Sequence, residues 1–273
     1  MSNTTPTKTV ERHSIETPAF GYNILGWDVP GQDKYRENIT FQDTRTLEDA
    51  NVIIFVIDVQ DSVERTLIAL DYFKRVLQKI EQGSTNRPFI SIFIHKMDPD
   101  VQNSVYILKN AKRIQDELTN LSTGFNIDFF LTSMFIEPTI FIGFSSVFWK
   151  AQSKKKQDEL KHVLQFFLDE LLLNALIIID KNNFIITHIE REEKDFVFLQ
   201  DFVYTLIEAY NNVKEHKLEM DELKLMLKTQ YFTLMPIFIG LDEIFIVASS
   251  IDPEISLLPA KPDFMLSIEK VIK

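Results

Sequence analysis

The sequence predicts two units, a parallel α/β sheet over residues 1–150 and an α+β unit over residues 151–273. Three observations predict this. Near-continuous aliphatic runs alternate with helical patterns as far as Trp149, the rhythm of parallel strands joined by crossover helices. A polar, lysine-bearing stretch, "AQSKKKQDELK", breaks that rhythm at residue 151. Beyond it, two aliphatic segments flank Lys181-Asn182-Asn183, which is a hairpin signal.

Taken in order, Phe20–Val29 reads as a strand running into "DVPGQ". "DANVIIFVIDV", Asp49–Val59, has the pattern of a parallel strand buried on both faces. The helix that follows places Leu67, Leu70, Phe73, Val76 and Leu77 at helical spacing and closes on Gly83. A third buried strand covers Pro88–Asp98, a second helix covers "VYILKNAKRIQDELTNL", and a fourth strand covers Asp128–Phe135. An apolar helix runs on through Trp149. The stretch after 151 reads as a linker or as the first turn of a new helix. The second unit then holds the hairpin, an amphipathic helix over Phe198–Glu215, two or three strands with a turn at Gly240-Leu241-Asp242, and a terminal helix around Phe264–Ile272. The apolar faces of Phe198–Tyr210 and Ile237–Val247 are read as core before interface.

Composition narrows the functional classes. A hydrophobic fraction of 45% with 23 Phe residues fills real cores, and a charged fraction of 25% is that of a globular chain. The absence of cysteine excludes disulfides and Cys-ligated zinc. A formal charge of −11 argues against nucleic acid or an anionic membrane as the main partner. The most apolar run, "FFLDELLLNALIIID", carries carboxylates and is too short to span a bilayer, so no direct membrane insertion is expected. The five histidines are scattered without a serine or carboxylate constellation, and "REEKD" (Arg191–Asp195) reads as a solvated turn.

In parallel sheets ligands sit at the carboxyl ends of strands. Those ends here carry "DVPGQ", "HKMD" and "TSMF". Lys96 and Asp98, two apart at a strand end, can lay a lysine stem over a flat base and accept its paired N–H donors; the plainer reading is an exposed charge pair. Thr132 and Ser133 stand where a loop presents backbone N–H groups to a base carbonyl, though Thr-Ser in a loop is ordinary. Asp28 can hold magnesium through a water, Gly31 lets its N–H approach a terminal phosphate, and Gln32 stands where a water-orienting glutamine would. A Pro-Gly turn is the plain alternative. In order and together, the three segments read as a GTPase.

These residues resemble one family, the Rag GTPases, and within it the C/D-type branch. "WDVPGQ" is similar to that branch's Trp-Asp-x-Pro-Gly-Gln, "FVIDVQD" to its next strand, "FIHKMD" to its base motif with His95 in place of the usual Asn, and "FFLTSMF" to its guanine loop. The fold the resemblance implies is an incomplete P-loop GTPase-like sheet followed by a roadblock/longin-like domain. By resemblance His95, Lys96, Asp98, Thr132, Ser133 and Gly31 bind the nucleotide, Asp28 and Thr7 (or Thr9) lie by the metal, and Gln32 is catalytic. GTP or GDP with Mg2+ is the implied cofactor set. The implied partners are a Rag A/B-like subunit, a lysosomal or vacuolar scaffold and the TOR kinase complex, to which the pair relays amino-acid availability. The implied location is cytoplasmic, peripheral at the lysosome or vacuole, with the nucleus as a second compartment. The competing reading, of another class, is a nucleotide-independent pseudo-GTPase scaffold.

No G-x-x-x-x-G-K-[ST] motif occurs, and none of the seven glycines is followed by Lys-Ser or Lys-Thr. The chain is expected to begin near switch I, either shortened or having lost the loop in evolution, and to be inactive alone. Three or four missing charge-assisted bonds at about 1.5–3 kcal/mol each would weaken phosphate binding by orders of magnitude. The resemblance places the absent first strand between Tyr22–Val29 and Val52–Val59, whose exposed edges must then pair with each other or with something foreign.

Overall fold

Strand β4, Phe89–His95, is the centre around which the first unit is built. It lies between β3, Val52–Asp58, and β5, Ile127–Thr132, with parallel pairing on both sides. The computed structural model describes residues 11–17, 22–28, 47, 50–83, 87–216, 220–240 and 242–272. Strand alternation sends Ile90, Ile92 and Ile94 of β4 to one face. There they meet Leu70, Phe73 and Leu77 of helix α1 (Val63–Gly83) and Ile107, Ile114 and Leu118 of helix α2 (Val105–Leu121). On the other face Phe93 of β4 presses against Gly143 of helix α3, Glu137–Ala151. A Cβ at Gly143 would come within 2.6 Å of that ring, so the close approach of helix to strand depends on glycine.

One expectation needs correction here. Leu67 is 55% exposed and does not join the buried face of α1. The inward stripe runs Thr66, Leu70, Phe73, Val76, Leu77 and Ile80, so the helix phase is set one residue earlier at its first turn. Of the two pairings expected for Tyr22–Val29 and Val52–Val59, with each other or with something else, the strands found there do not pair with each other. Strand β2, Tyr22–Asp28, pairs with β1, Glu11–Thr17, in a sheet of its own, and β3 hydrogen-bonds β4 alone among the described strands.

The chain divides into two compact units, and the division after the first sheet falls between Gly143 and Phe144, inside α3. The second unit is a five-stranded antiparallel sheet in the order β7-β6-β10-β9-β8. Its strands are β6 (Ala175–Asp180), β7 (Ile185–Glu190), β8 (Leu223–Leu227), β9 (Gln230–Ile239) and β10 (Asp242–Ser250). Helix α5, Glu193–Glu215, covers one face with Leu199, Val203, Leu206, Ile207 and Tyr210 packed on Ile177, Ile179, Phe232 and Val247. Helix α4, Lys154–Glu170, packs on β7, and α6, Lys261–Ile272, packs on β9; Phe167 of α4 stacks on Phe264 of α6 at 3.6 Å. Of the two readings of the stretch after 151, the helix is the one formed, and Ser153 caps it by accepting from the Lys156 N–H.

The β6–β7 hairpin turns where the sequence signalled it. Asp180, 2% exposed, accepts the Asn182 and Phe184 amides on one oxygen at 2.9 and 2.8 Å. Asn183 takes φ 69, a backbone conformation Asn tolerates better than most residues. Among the described residues no helix is long and apolar enough to cross a membrane.

Candidate functional site: the carboxyl ends of the parallel sheet

Parallel strands end in register, so Asp58, His95 and Thr132 stand side by side. The loops that follow are tied together by backbone bonds: Val59 N–H donates to the His95 carbonyl, and Met97 N–H to the Thr132 carbonyl, both at 3.0 Å. Asn110 on α2 donates to the Val59 carbonyl at 2.6 Å, fixing the β3 loop from below. Val59, Met97 and Ser133 are buried, and the polar side chains between them face one patch.

Lys96 adopts φ 65, which is uncommon for a side chain with a Cβ and costs of order 1–2 kcal/mol. The next residue accounts for the shape: Met97 turns into the core while the lysine stays outside. The ammonium pairs with the Asp58 carboxylate. That hydrogen bond, opposed by partial burial and reinforced by the charges of Asp58, Asp61 and Asp98, holds the lysine above its ordinary range.

Asp98 is held on both oxygens. The Ser133 hydroxyl donates to Oδ1 at 2.6 Å and the Gln60 carboxamide donates to Oδ2 at 3.2 Å. Ser133 is itself fixed, with its N–H donating to Thr139 Oγ1 at 3.1 Å and its Oγ accepting from the Phe135 N–H at 3.1 Å. The Thr139 hydroxyl donates to the Ile136 carbonyl at 2.7 Å, which closes the loop. His95 Nδ1 lies 3.0 Å from Thr132 Oγ1, so the imidazole joins the strand ends and does not project into the patch alone. Met134 and Phe135 are 67% and 77% exposed at the rim. Three carboxylates around one ammonium make an acidic patch. It favours a ligand that offers N–H donors and disfavours a bare phosphate.

His95, Lys96, Asp98, Thr132 and Ser133, singled out in sequence, thus come together. Asp28 ends β2, and Gly31, Gln32, Thr7 and Thr9 lie outside the described residues. Among the described residues no group of three or more His, Cys, Asp or Glu side chains is placed to hold a metal ion. Sequence reasoning missed Gln60 and Thr139. Asp58 carried a signal, since an aliphatic strand that ends in a carboxylate beside "HKMD" presents it to that loop. Gln60 carried none, because its partners are 36 and 38 residues away.

Solved structures are similar to part of the chain at low identity. Myxococcus xanthus MglB is 13% identical with a TM-score of 0.35, covering 45% of this chain and 97% of that one. The gliding protein MglB of Thermus thermophilus is 13% identical at 0.33, covering 44% and 93%. Myxococcus xanthus MglC is 10% identical at 0.29, covering 42% and 97%. No curated protein sequence matches the chain. A family model, the Gtr1/RagA G protein conserved region, matches residues 3–213, a span that includes β3, β4, β5 and every residue of the acidic patch. The chain therefore belongs to the Gtr1/RagA G protein family.

Proposed function

We propose that this chain is a C/D-type Rag subunit whose acidic patch reads a guanine base. Asp98 accepts the ring N–H and the exocyclic amine, Ser133 holds that carboxylate in place, and the Lys96 stem covers the base. His95 and Thr132 brace the strand ends beneath it. The observation that carries the reading is Asp98 itself, a half-buried carboxylate fixed by a buried hydroxyl at 2.6 Å beside a left-handed lysine. Strain of that kind collects where function requires it.

In this reading Asp28 and Thr7 or Thr9 would hold a magnesium ion, Gly31 would meet the terminal phosphate and Gln32 would orient the attacking water; Mg2+ would supply charge for GTP hydrolysis when bound. The second unit pairs with a Rag A/B-type subunit. The pair is recruited by a scaffold at the lysosomal or vacuolar surface and relays amino-acid availability to the TOR kinase complex. A second reading is a nucleotide-independent scaffold.

Titration of labelled GDP and GTP, with magnesium, into the chain co-expressed with an A/B-type partner tests both. Binding at micromolar or better, lost in Asp98→Ala, is the expected result. An intact heterodimer that binds neither nucleotide through this chain would replace the first reading with the second.

A further inference from the structure

Gln60 is exposed, yet its N–H donors are committed to the patch. Its backbone N–H donates to Asp58 Oδ1 at 2.8 Å. Its carboxamide nitrogen donates to the Lys96 carbonyl at 2.8 Å and to Asp98 Oδ2 at 3.2 Å. A long, solvated side chain loses rotamer freedom when it is held this way, so the arrangement needs a compensating acceptor. Asp98 is that acceptor, and its charge strengthens the bond.

We infer that the Gln60 carboxamide is a latch on the base site, occupying the carboxylate that a planar ligand with paired N–H donors must use. The inference rests on the base-binding reading above and adds its regulation. The two donors on Asp98 differ in what they can give up. Ser133 is fully buried and bonded at 2.6 Å, so it stays when a ligand arrives. Gln60 is exposed, its bond is longer, and solvent can take over its amide at little cost. Binding therefore exchanges one N–H donor on Oδ2 for another, and the ligand gains less than it would at an open carboxylate. The Lys96 carbonyl holds the same nitrogen, so withdrawal of Gln60 also frees the segment that carries the lysine over the base. The patch is closed to weak donors and open to a ligand that supplies two at once.

The test is calorimetric and NMR titration of guanosine, with adenosine as control, into the full chain. Wild type, Gln60→Met, Gln60→Ala and Asp98→Ala are compared, with circular dichroism to verify folding. Guanosine uses only base and ribose, so the outcome does not depend on phosphate contacts. The expected result is guanosine binding that requires Asp98 and is about three- to tenfold tighter in both Gln60 variants, the scale of one exposed charge-assisted hydrogen bond. Binding by the Gln60 variants with none detected in wild type supports the latch equally. Asp98-dependent binding that is unchanged or weaker in the Gln60 variants overturns the latch and leaves the base site standing. No guanosine binding by any protein up to its solubility limit, or binding that survives Asp98→Ala, overturns the base site and the latch with it.

Discussion

Strands β3 and β6 are near copies in composition, VIIFVID and ALIIID, and both end in aspartate. Their surroundings differ. All six residues of β6 are buried, because β7 and β10 flank it and helices cover its sheet. One residue of seven is buried in β3, with Ile54 36% and Val56 58% exposed on the face away from α1. The terminal aspartates differ in the same way. Asp180 is 2% exposed and spends its carboxylate on two backbone amides of its own turn. Asp58 stays accessible and meets Lys96 and the Gln60 amide, 38 and 2 residues away. An aliphatic run ending in Asp therefore specifies a strand and a loop carboxylate. Neighbouring strands decide whether that strand is core and whether that carboxylate is structural or available.

The largest expected effect breaks the comparison directly. Ile177→Ala in β6 removes a fully buried side chain and should cost about 2–5 kcal/mol in urea unfolding. Val56→Ala in β3 should cost less than about 1 kcal/mol. Equal costs would mean that β3 is covered in solution and that the two strands are alike after all.

The next effect concerns Asp180. Burial, only partly offset by its backbone hydrogen bonds, raises its carboxyl above the ordinary range. The folded state then holds the proton more tightly than the unfolded one. Stability must fall as pH rises from the usual carboxylate range through the raised folded value. Asp180→Asn keeps an oxygen acceptor for the two amides and removes the titration. Urea midpoints for the variant should thus lack that decline, whereas a variant that declines as steeply as wild type would place the slope on another group.

The smallest effect concerns the loop after β4. Lys96→Gly relieves the φ 65 strain and loses an exposed ion pair, so stability should hold or rise by up to about 1 kcal/mol. Guanosine binding should weaken in the same variant. A clear loss of stability would instead make the Lys96–Asp58 pair the structural tie between β3 and β4.

Much of the fold was legible because it is written in short periods. Period-two and aliphatic runs marked β3 to β7, 3.6-residue spacing marked α1, α2 and α5, and Lys181-Asn182-Asn183 marked the hairpin. The places of His95, Lys96, Asp98, Thr132 and Ser133 at strand ends followed from the same runs. Their partners did not. The Ser133–Asp98 and Gln60–Asp98 bonds close across 35 and 38 residues, and no local pattern records such a meeting. The outward turn of Leu67 depended on which face of α1 the sheet accepted. The sequence by itself determined the elements, the order of the motif-bearing loops and the chemistry those loops carry, since each depends on residues a few positions apart. Only the tertiary structure decided that β3 is an edge among the described strands, that Lys96 turns left-handed and that Gln60 closes on Asp98. Those outcomes depend on strands and loops that are distant in the chain and are brought into register by the packed core.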